Sequence, residues 1–279
     1  MTHDEGRHSE SKPETKPDSG GACPSGLLII DKPVGWTSMD VCARVRALVR
    51  RGGGPKRSKV GHAGTLDPFA TGVLVVLVGK ATKLSDAMMA GEKEYTAEVD
   101  LSRSSDTQDP TGVITEVVVP SPPDEQAVRA ALVQFVGVIQ QRPPIHSAMS
   151  IGGQRAYHLA RKGQIAELPA RPVTVHEMRL DAYTWPIAKV FVRCGKGTYI
   201  RSLARDLGAT LGAGGMLTQL RRERVGSFDI GMSRTIDSLP SQIVQSDLLP
   251  MPDLGVAIQS QDDEPDNPGS EPDSSVIDS

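Results

Sequence analysis

The amino-acid sequence predicts an α+β fold, with a mixed, largely antiparallel sheet core, flanking helices and disordered termini. Three observations predict it. Segments of strand character outnumber segments of helical character. Several strand segments follow one another directly, without the crossover helix that a parallel pair needs. The run VLVVLV at 73–78 is far too short to cross a bilayer, yet suits a strand buried on both faces.

The elements follow in order along the chain. GLLIID (26–31) reads as a buried strand, ended by the turn KPVGW. Ser38 is placed as the cap of a helix to about Arg51, with Val41, Val45 and Leu48 on one face. RGGGPKRSK reads as a flexible basic loop, VLVVLVG as an interior strand and ATKLSDAMMAG as a helix. EYTAEVDLS and VITEVVV alternate, and are expected to pair across the loop RSSDTQDPTG. Asp124 begins a helix to Phe135, and QRAYHLARKG begins another near Gln154. RPVTVHEMRLDAYTW and AKVFVRC are strands. Tyr199 through Leu211 is helical, ended by GAGG, and MLTQLRRERVGSFDI returns to extended structure. Residues 1–24 and 259–279 are rich in Ser, Pro, Gly and acidic residues and read as disordered tails. Residues 25–240 then form one domain, followed by a short segment at 241–258.

The net charge of −3 conceals an uneven distribution. The last 21 residues carry seven acidic side chains and no basic one, and the body between the tails holds 28 basic against 22 acidic residues. A mildly basic body is compatible with a polyanionic partner. Three scattered cysteines lack disulfide or zinc spacing, and no apolar leader is present, so a reduced cytoplasm is expected. The six histidines form no metal motif. GKGT at 195–198 resembles a phosphate loop but lacks the earlier glycine and the Ser or Thr directly after the lysine. No G-x-S-x-G is present. Neither nucleotide, metal nor serine chemistry is therefore expected, and a monomer is.

What remains is GHAGTLDPFATG (61–72), where one carboxylate, Asp67, sits among three glycines and a proline. Asp before Pro is ordinary turn chemistry. The alternative is a loop that holds one carboxylate in a fixed pose, which works best with an arginine to orient it. Tyr199 and Arg201 in KGTYIRS are candidates, although taken singly they read more readily as a core aromatic and a surface ion pair. Between Asp40 and Asp67 there is no acidic residue, but Arg44, Arg46, Arg50, Arg51, Lys56, Arg57 and Lys59 are all present. Such a run favours a phosphate backbone near the loop, or is simply a solvated face. Arg221, Arg222 and Arg224 form a further basic cluster.

Five motifs in order span about residues 26 to 228. They are GLLIIDKPVGWTS, GHAGTLDPFATGVLVVLVGKATK, GEKEYTAEVDLSRSSDTQDPTG, CGKGTYIRSLARDLG and LTQLRRERVGSF. Together they resemble the TruB family of pseudouridine synthases, specifically the bacterial enzymes acting on tRNA uridine 55. The resemblance implies the pseudouridine synthase fold for 25–240. It also implies isomerisation of a T-arm loop uridine to pseudouridine without metal or cofactor. It gives Asp67 as the essential aspartate, Tyr95 as the tyrosine that stacks on the target base, and Arg201 as the aspartate's partner. Tyr199 is the tyrosine beside that arginine, and either it or an ordered water is a candidate base for the C5 proton. Leu220 packs near the base, Lys32 and Pro33 support the pocket, and His62 fills the loop stack after the bases flip. Thr65, beside the aspartate, and Arg57 and Lys59 in the basic run complete the expected RNA-binding set. Asp67 would act by attack on C1′ or by promoting elimination at the sugar, with attack at C6 also open. Arg201 is expected to hold it anionic against burial.

Two departures stand out. Ala63, Thr65 and Phe69 occupy positions where some relatives carry Thr, Ala and Leu. The residues after about 236 are too few for the RNA-binding PUA domain of many members. A non-catalytic RNA-binding module on the same scaffold, and a small-molecule hydrolase using Asp67 and His62, are the rival readings.

Overall fold

The computed structural model describes residues 22–145, 147, 150, 151, 154, 155 and 168–252. The expected tails at 1–24 and 259–279 therefore lie outside the described residues, save 22–24. The strands are β1 (Gly26–Lys32), β2 (Val60–His62), β3 (Thr71–Val78), β4 (Lys93–Asp100), β5 (Arg103–Ser105), β6 (Ile114–Glu116) and β7 (Gly137–Gln141). They continue with β8 (Ser150–Ile151), β9 (Gln154–Arg155), β10 (Arg171–Thr184), β11 (Ile187–Cys194), β12 (Met216–Val225), β13 (Phe228–Asp229) and β14 (Arg234–Thr235). The described α-helices are α1 (Ser38–Arg51), α2 (Ser85–Met89), α3 (Glu125–Val133) and α4 (Ile200–Thr210).

One large sheet in the order β14-β1-β3-β12-β4-β11-β10-β7 carries the fold, with β2 on β3 and β13 on β12. It is antiparallel except at β1–β14 and β3–β12, so the predicted mixed, largely antiparallel sheet is present. Strand β3 lies inside it and is covered on both faces. Leu74, Val76 and Val78 pack with Val41, Val45 and Leu48 of α1. Val73, Val75 and Leu77 pack with Ala81, Leu84 and Met88. This double burial explains why the run is apolar throughout rather than alternating. On the other half of the sheet, Ala97, Val99, Val190 and Val192 meet Leu203 and Leu207 of α4 and Val128 and Leu132 of α3. No described helix is long and apolar enough to cross a membrane.

Several expectations are corrected. The cap of α1 is Thr37, which exchanges hydrogen bonds with Asp40 in a capping box, and not Ser38. Ser38 turns inward and is buried. EYTAEVDLS does not pair with VITEVVV: β4 takes β11 on one side and β12 on the other, which uses both of its edges. Ile114–Glu116 instead pairs with Arg103–Ser105 in a separate two-stranded ribbon, and Val118 is 88 % exposed. The stretch ATKLSDAMMAG is a 3₁₀ turn from Gly79 to Leu84 followed by the short α2. The helix expected near Gln154 has its first two residues in β9, and the rest lies outside the described residues. The segment after 240 returns to the sheet, where Leu249 exchanges two main-chain hydrogen bonds with Leu27.

Candidate active site

The Asp67 loop leaves β2 and enters β3, and it is fixed residue by residue. The buried Arg222 side chain, from β12, donates to the carbonyls of Gly64 at 3.0 Å, Thr65 at 3.3 Å and Val73 at 2.7 Å. Ser38 bonds both main-chain groups of Leu66, accepting from its N–H at 2.9 Å and donating to its carbonyl at 3.1 Å. The Pro68 carbonyl accepts from the Gly35 N–H at 2.8 Å and from the Lys32 ammonium at 3.4 Å. Lys32 also donates to the carbonyls of Pro33 and Trp36, at 2.9 and 2.8 Å. Burial lowers its pKa to about 8, against the opposing charge of Asp67. The loop is thus anchored on both sides of Asp67, whose side chain lines the cleft.

Gly72 shows how tight this packing is. Its φ is +102°, and a Cβ there would lie 2.2 Å from the Arg222 carbonyl oxygen. Gly72→Ala combines a disfavoured backbone region with a clash against sheet backbone, so a loss of about 3 kcal/mol or more is expected. A fall in the urea midpoint checks it, and an unchanged midpoint contradicts the packing described.

Arg201 reaches Asp67 from the first turn of α4. Its Nη2 donates to Asp67 Oδ1 at 3.2 Å and its Nε makes an ion-pair contact with Oδ2 at 3.0 Å, joining residues 134 apart in sequence. Its Nη1 turns the other way, 3.0 Å from the Thr107 carbonyl and 3.3 Å from Asp109 Oδ2. Asp109 is 3 % exposed and accepts as well from Thr107 Oγ1 and from the Thr111 N–H and hydroxyl. The loop read as a hairpin turn is therefore a platform for one carboxylate that holds the arginine.

The Asp67 side chain is 32 % accessible, through the mouth of the cleft, but protein surrounds it on the other sides. Burial pushes its pKa up, Asp109 adds to that, and Arg201 and Lys32 oppose it, with the net direction upward. Arg201, expected to hold Asp67 anionic against burial, does lower its pKa, but burial is the larger influence, and Arg201 is shared with a second carboxylate, Asp109.

The cleft above Asp67 encloses about 650 Å³. Asp67, Tyr95, Tyr199, Arg201, Leu220 and Thr65 all line it. Tyr95 and Leu220 come from adjacent strands, β4 and β12, and both are nearly buried, at 8 % and 7 %. Burial raises the Tyr95 phenol's pKa, so it stays neutral and presents a ring rather than a charge. Tyr199 is set by Gln141, whose side chain accepts from its N–H at 2.8 Å and donates to its carbonyl at 3.1 Å. The Arg171 guanidinium lies 5.3 Å from the centre of its ring.

Other sequence candidates sit elsewhere. Lys32 and Pro33 line a separate cavity of about 400 Å³, and Lys32 also braces the loop through the Pro68 carbonyl. His62 lies outside the cleft lining; burial and the charge of Arg222 lower its pKa and favour neutral imidazole. Arg57 and Lys59 are exposed between α1 and β2, outside the cleft. Of the basic cluster in β12, Arg221 pairs with Asp31 at 2.9 Å, Arg224 pairs with Glu94, and Arg222 is wholly buried. Sequence reasoning missed Asp109, Gln141, Ser38 and the structural role of Arg222. For Arg222 a signal existed, because strand alternation puts it on the same face as Leu220.

Comparison with known proteins identifies the family of the chain. Residues 51–200 match the N-terminal domain of TruB family pseudouridylate synthases, and residues 201–250 match the tRNA pseudouridylate synthase B C-terminal domain. The chain is 50 % identical over 225 residues to the tRNA pseudouridine synthase B of Thermobifida fusca, covering 78 % of this chain and 75 % of that one. It is 44 % identical over 225 residues to the protein of the same name from Arthrobacter sp., covering 78 % and 72 %. Among solved structures, a Cbf5–Nop10–Gar1 complex superposes with a TM-score of 0.59 at 29 % identity, covering 81 % of this chain and 59 % of that one. An H/ACA ribonucleoprotein bound to a substrate RNA containing 2′-deoxyuridine gives 0.57 at 27 %, covering 81 % and 58 %.

Proposed function

Because the chain belongs to the TruB family of pseudouridylate synthases, we propose that it isomerises uridine 55 in the T-arm loop of tRNA to pseudouridine. The observation that carries this reading is the pairing of Asp67 with Arg201 in a cleft floored by Tyr95 and Leu220.

The base must leave its stack before the sugar can be reached, at a cost of a few kcal/mol. Stacking of the uracil on the Tyr95 ring offsets part of that cost. Asp67, oriented by Arg201, then acts on the sugar. The N1–C1′ bond breaks, the uracil turns within the cleft, a C5–C1′ bond forms, and C5 loses a proton while N1 gains one. No atom is gained or lost overall, so the reaction needs no group donor and no oxidant. Tyr199, beside Arg201, is the side chain assigned to the C5 proton, directly or through a water. Lys32 and Pro33 act by bracing the Asp67 loop, and His62, Arg57 and Lys59 by meeting the surrounding RNA.

Tritium release from a T-arm stem-loop labelled at C5 of its loop uridine tests this. Release by the wild-type protein, with pseudouridine mapped to that one position, is the expected result. Tight binding with no release would point to an RNA-binding module instead. The charge state of Asp67 supplies a second test. Since its pKa is raised in the free protein, it is protonated at pH values where an ordinary aspartate is ionised. The acid limb of kcat/KM, followed from about pH 4 to 8, should therefore lie above the usual carboxylate range of about 3.9. A limb at or below that range would mean that burial does not govern this carboxylate.

A further inference from the structure

The cleft has a second polar end, of opposite character to the Asp67–Arg201–Asp109 cluster. Lys93 lies two residues before Tyr95 on β4, so both side chains share one face of the strand. Both line the cleft. Lys93 is only 7 % exposed, and its ammonium donates to the carbonyls of Met89 and Gly91 at the end of α2. An ammonium has three donors, so one is left. Among the described residues no carboxylate forms an ion pair with it, although the exposed Asp86 lines the same cleft. Burial, and after it the charges of Arg222 and Lys196, push its pKa down, with Cys194 opposing. A buried charge is ordinarily paired. A buried ammonium among other cations, at the wall of an open cleft, is arranged to receive an anion.

The stretch that fails as a nucleotide-binding loop, Gly195–Thr198, supplies the other half. The sheet register pairs Cys194 with Lys93, so this turn leaves β11 directly beside the lysine. All four of its residues line the cleft, Gly197 adopts φ +80°, and Lys196 is exposed at the rim. Helix α4 begins two residues later, and the positive end of its dipole adds to the same field. The substrate proposed above brings an anion with it, because each phosphodiester is bonded to the nucleotide that Asp67 engages.

We propose that Lys93 and Lys196, with the Gly195–Thr198 turn, form a phosphate subsite for one of the two phosphodiesters flanking the target uridine. The subsite rests on the reading of the cleft as a pseudouridine-forming site. Lys93 provides a fixed donor, and Lys196 closes over the phosphate from the rim. Capping of α2 would by itself occupy Lys93 too, but it would be indifferent to charge on the substrate.

The test uses the full chain and T-arm stem-loops in which the phosphate on the 5′ or the 3′ side of the target is replaced, one at a time, by uncharged methylphosphonate. Neutralising the engaged phosphate should lower wild-type kcat/KM by about tenfold, the size of one charge-assisted hydrogen bond. Lys93→Met should lose a similar factor on unmodified RNA, and less than about twofold more on the neutralised RNA. Lys196→Met, at an exposed position, should show the same loss of sensitivity and a salt dependence of binding shallower by about one contact. It decides the question if Lys93→Met does not fold. Wild-type rates unaffected by both methylphosphonates, or full sensitivity retained in both variants, would overturn the subsite. In either case product from unmodified RNA would leave the enzymatic reading standing. No pseudouridine from any stem-loop would remove that reading and the subsite with it.

Discussion

Replacing Asp67 by asparagine is expected to slow pseudouridine formation by at least about ten-thousandfold, the scale seen when a group that acts as part of a catalytic unit is removed. The substitution is nearly isosteric and leaves one oxygen to accept from Arg201, but it removes the charge. Stability should change by no more than about 1 kcal/mol, because a carboxylate whose pKa burial has raised is not one that holds the fold together. Arg201 would still have Asp109 and the Thr107 carbonyl as partners. RNA affinity should be nearly unchanged, since most of it comes from phosphate contacts. Single-turnover tritium release beside RNA binding by filter retention separates these effects. A variant keeping more than about one per cent of the wild-type rate would move the chemistry to another group in the cleft.

Arg222→Met should have the largest effect on stability. The guanidinium is 1 % exposed and is bound by three main-chain carbonyls, those of Val73, Thr65 and Gly64. Methionine fills most of the space but can donate to none of them. Each buried acceptor left without a partner costs about 1–3 kcal/mol, offset in part by removal of the buried charge. A net loss of about 3–5 kcal/mol in urea unfolding is expected. At temperatures where the variant remains folded, its turnover should fall further than the unfolded fraction explains, because Gly64 and Thr65 lead directly into Asp67. Arg221→Met is the control: that side chain is 38 % exposed and pairs with Asp31 near the surface, so a change of about 1 kcal/mol or less is expected. Equal losses from the two substitutions would contradict the role given to Arg222.

The site divides the work between a rigid base and a responsive charge. Arg222, Ser38, Gly35 and Lys32 fix the backbone around Asp67. The carboxylate itself answers to Arg201, Lys32 and Asp109, so its proton affinity depends on a loop about forty residues downstream. Substrate that displaces water from the cleft strengthens each of these electrostatic interactions.

Much of this was legible in the chain itself. The double-sided burial of β3 was written in its unbroken apolar run, and α1 in the period of Val41, Val45 and Leu48. Asp67 was conspicuous because glycine and proline crowd around it, which marks a backbone held in a special shape. These are local properties, set by periodicity and dihedral preference within a dozen residues. What tertiary structure alone decided was partnership. Alternation shows that β4 is a strand but not that β11 and β12 flank it, because any strand presents the same ladder of donors and acceptors on both edges. Arg221, Arg222 and Arg224 carry the same side chain, yet one is wholly buried and braces the Asp67 loop while the others make ion pairs near the surface. Asp109 reads as a turn residue until the fold brings Arg201 to it. A charge takes its meaning from the groups that meet it, and only the folded chain determines which groups those are.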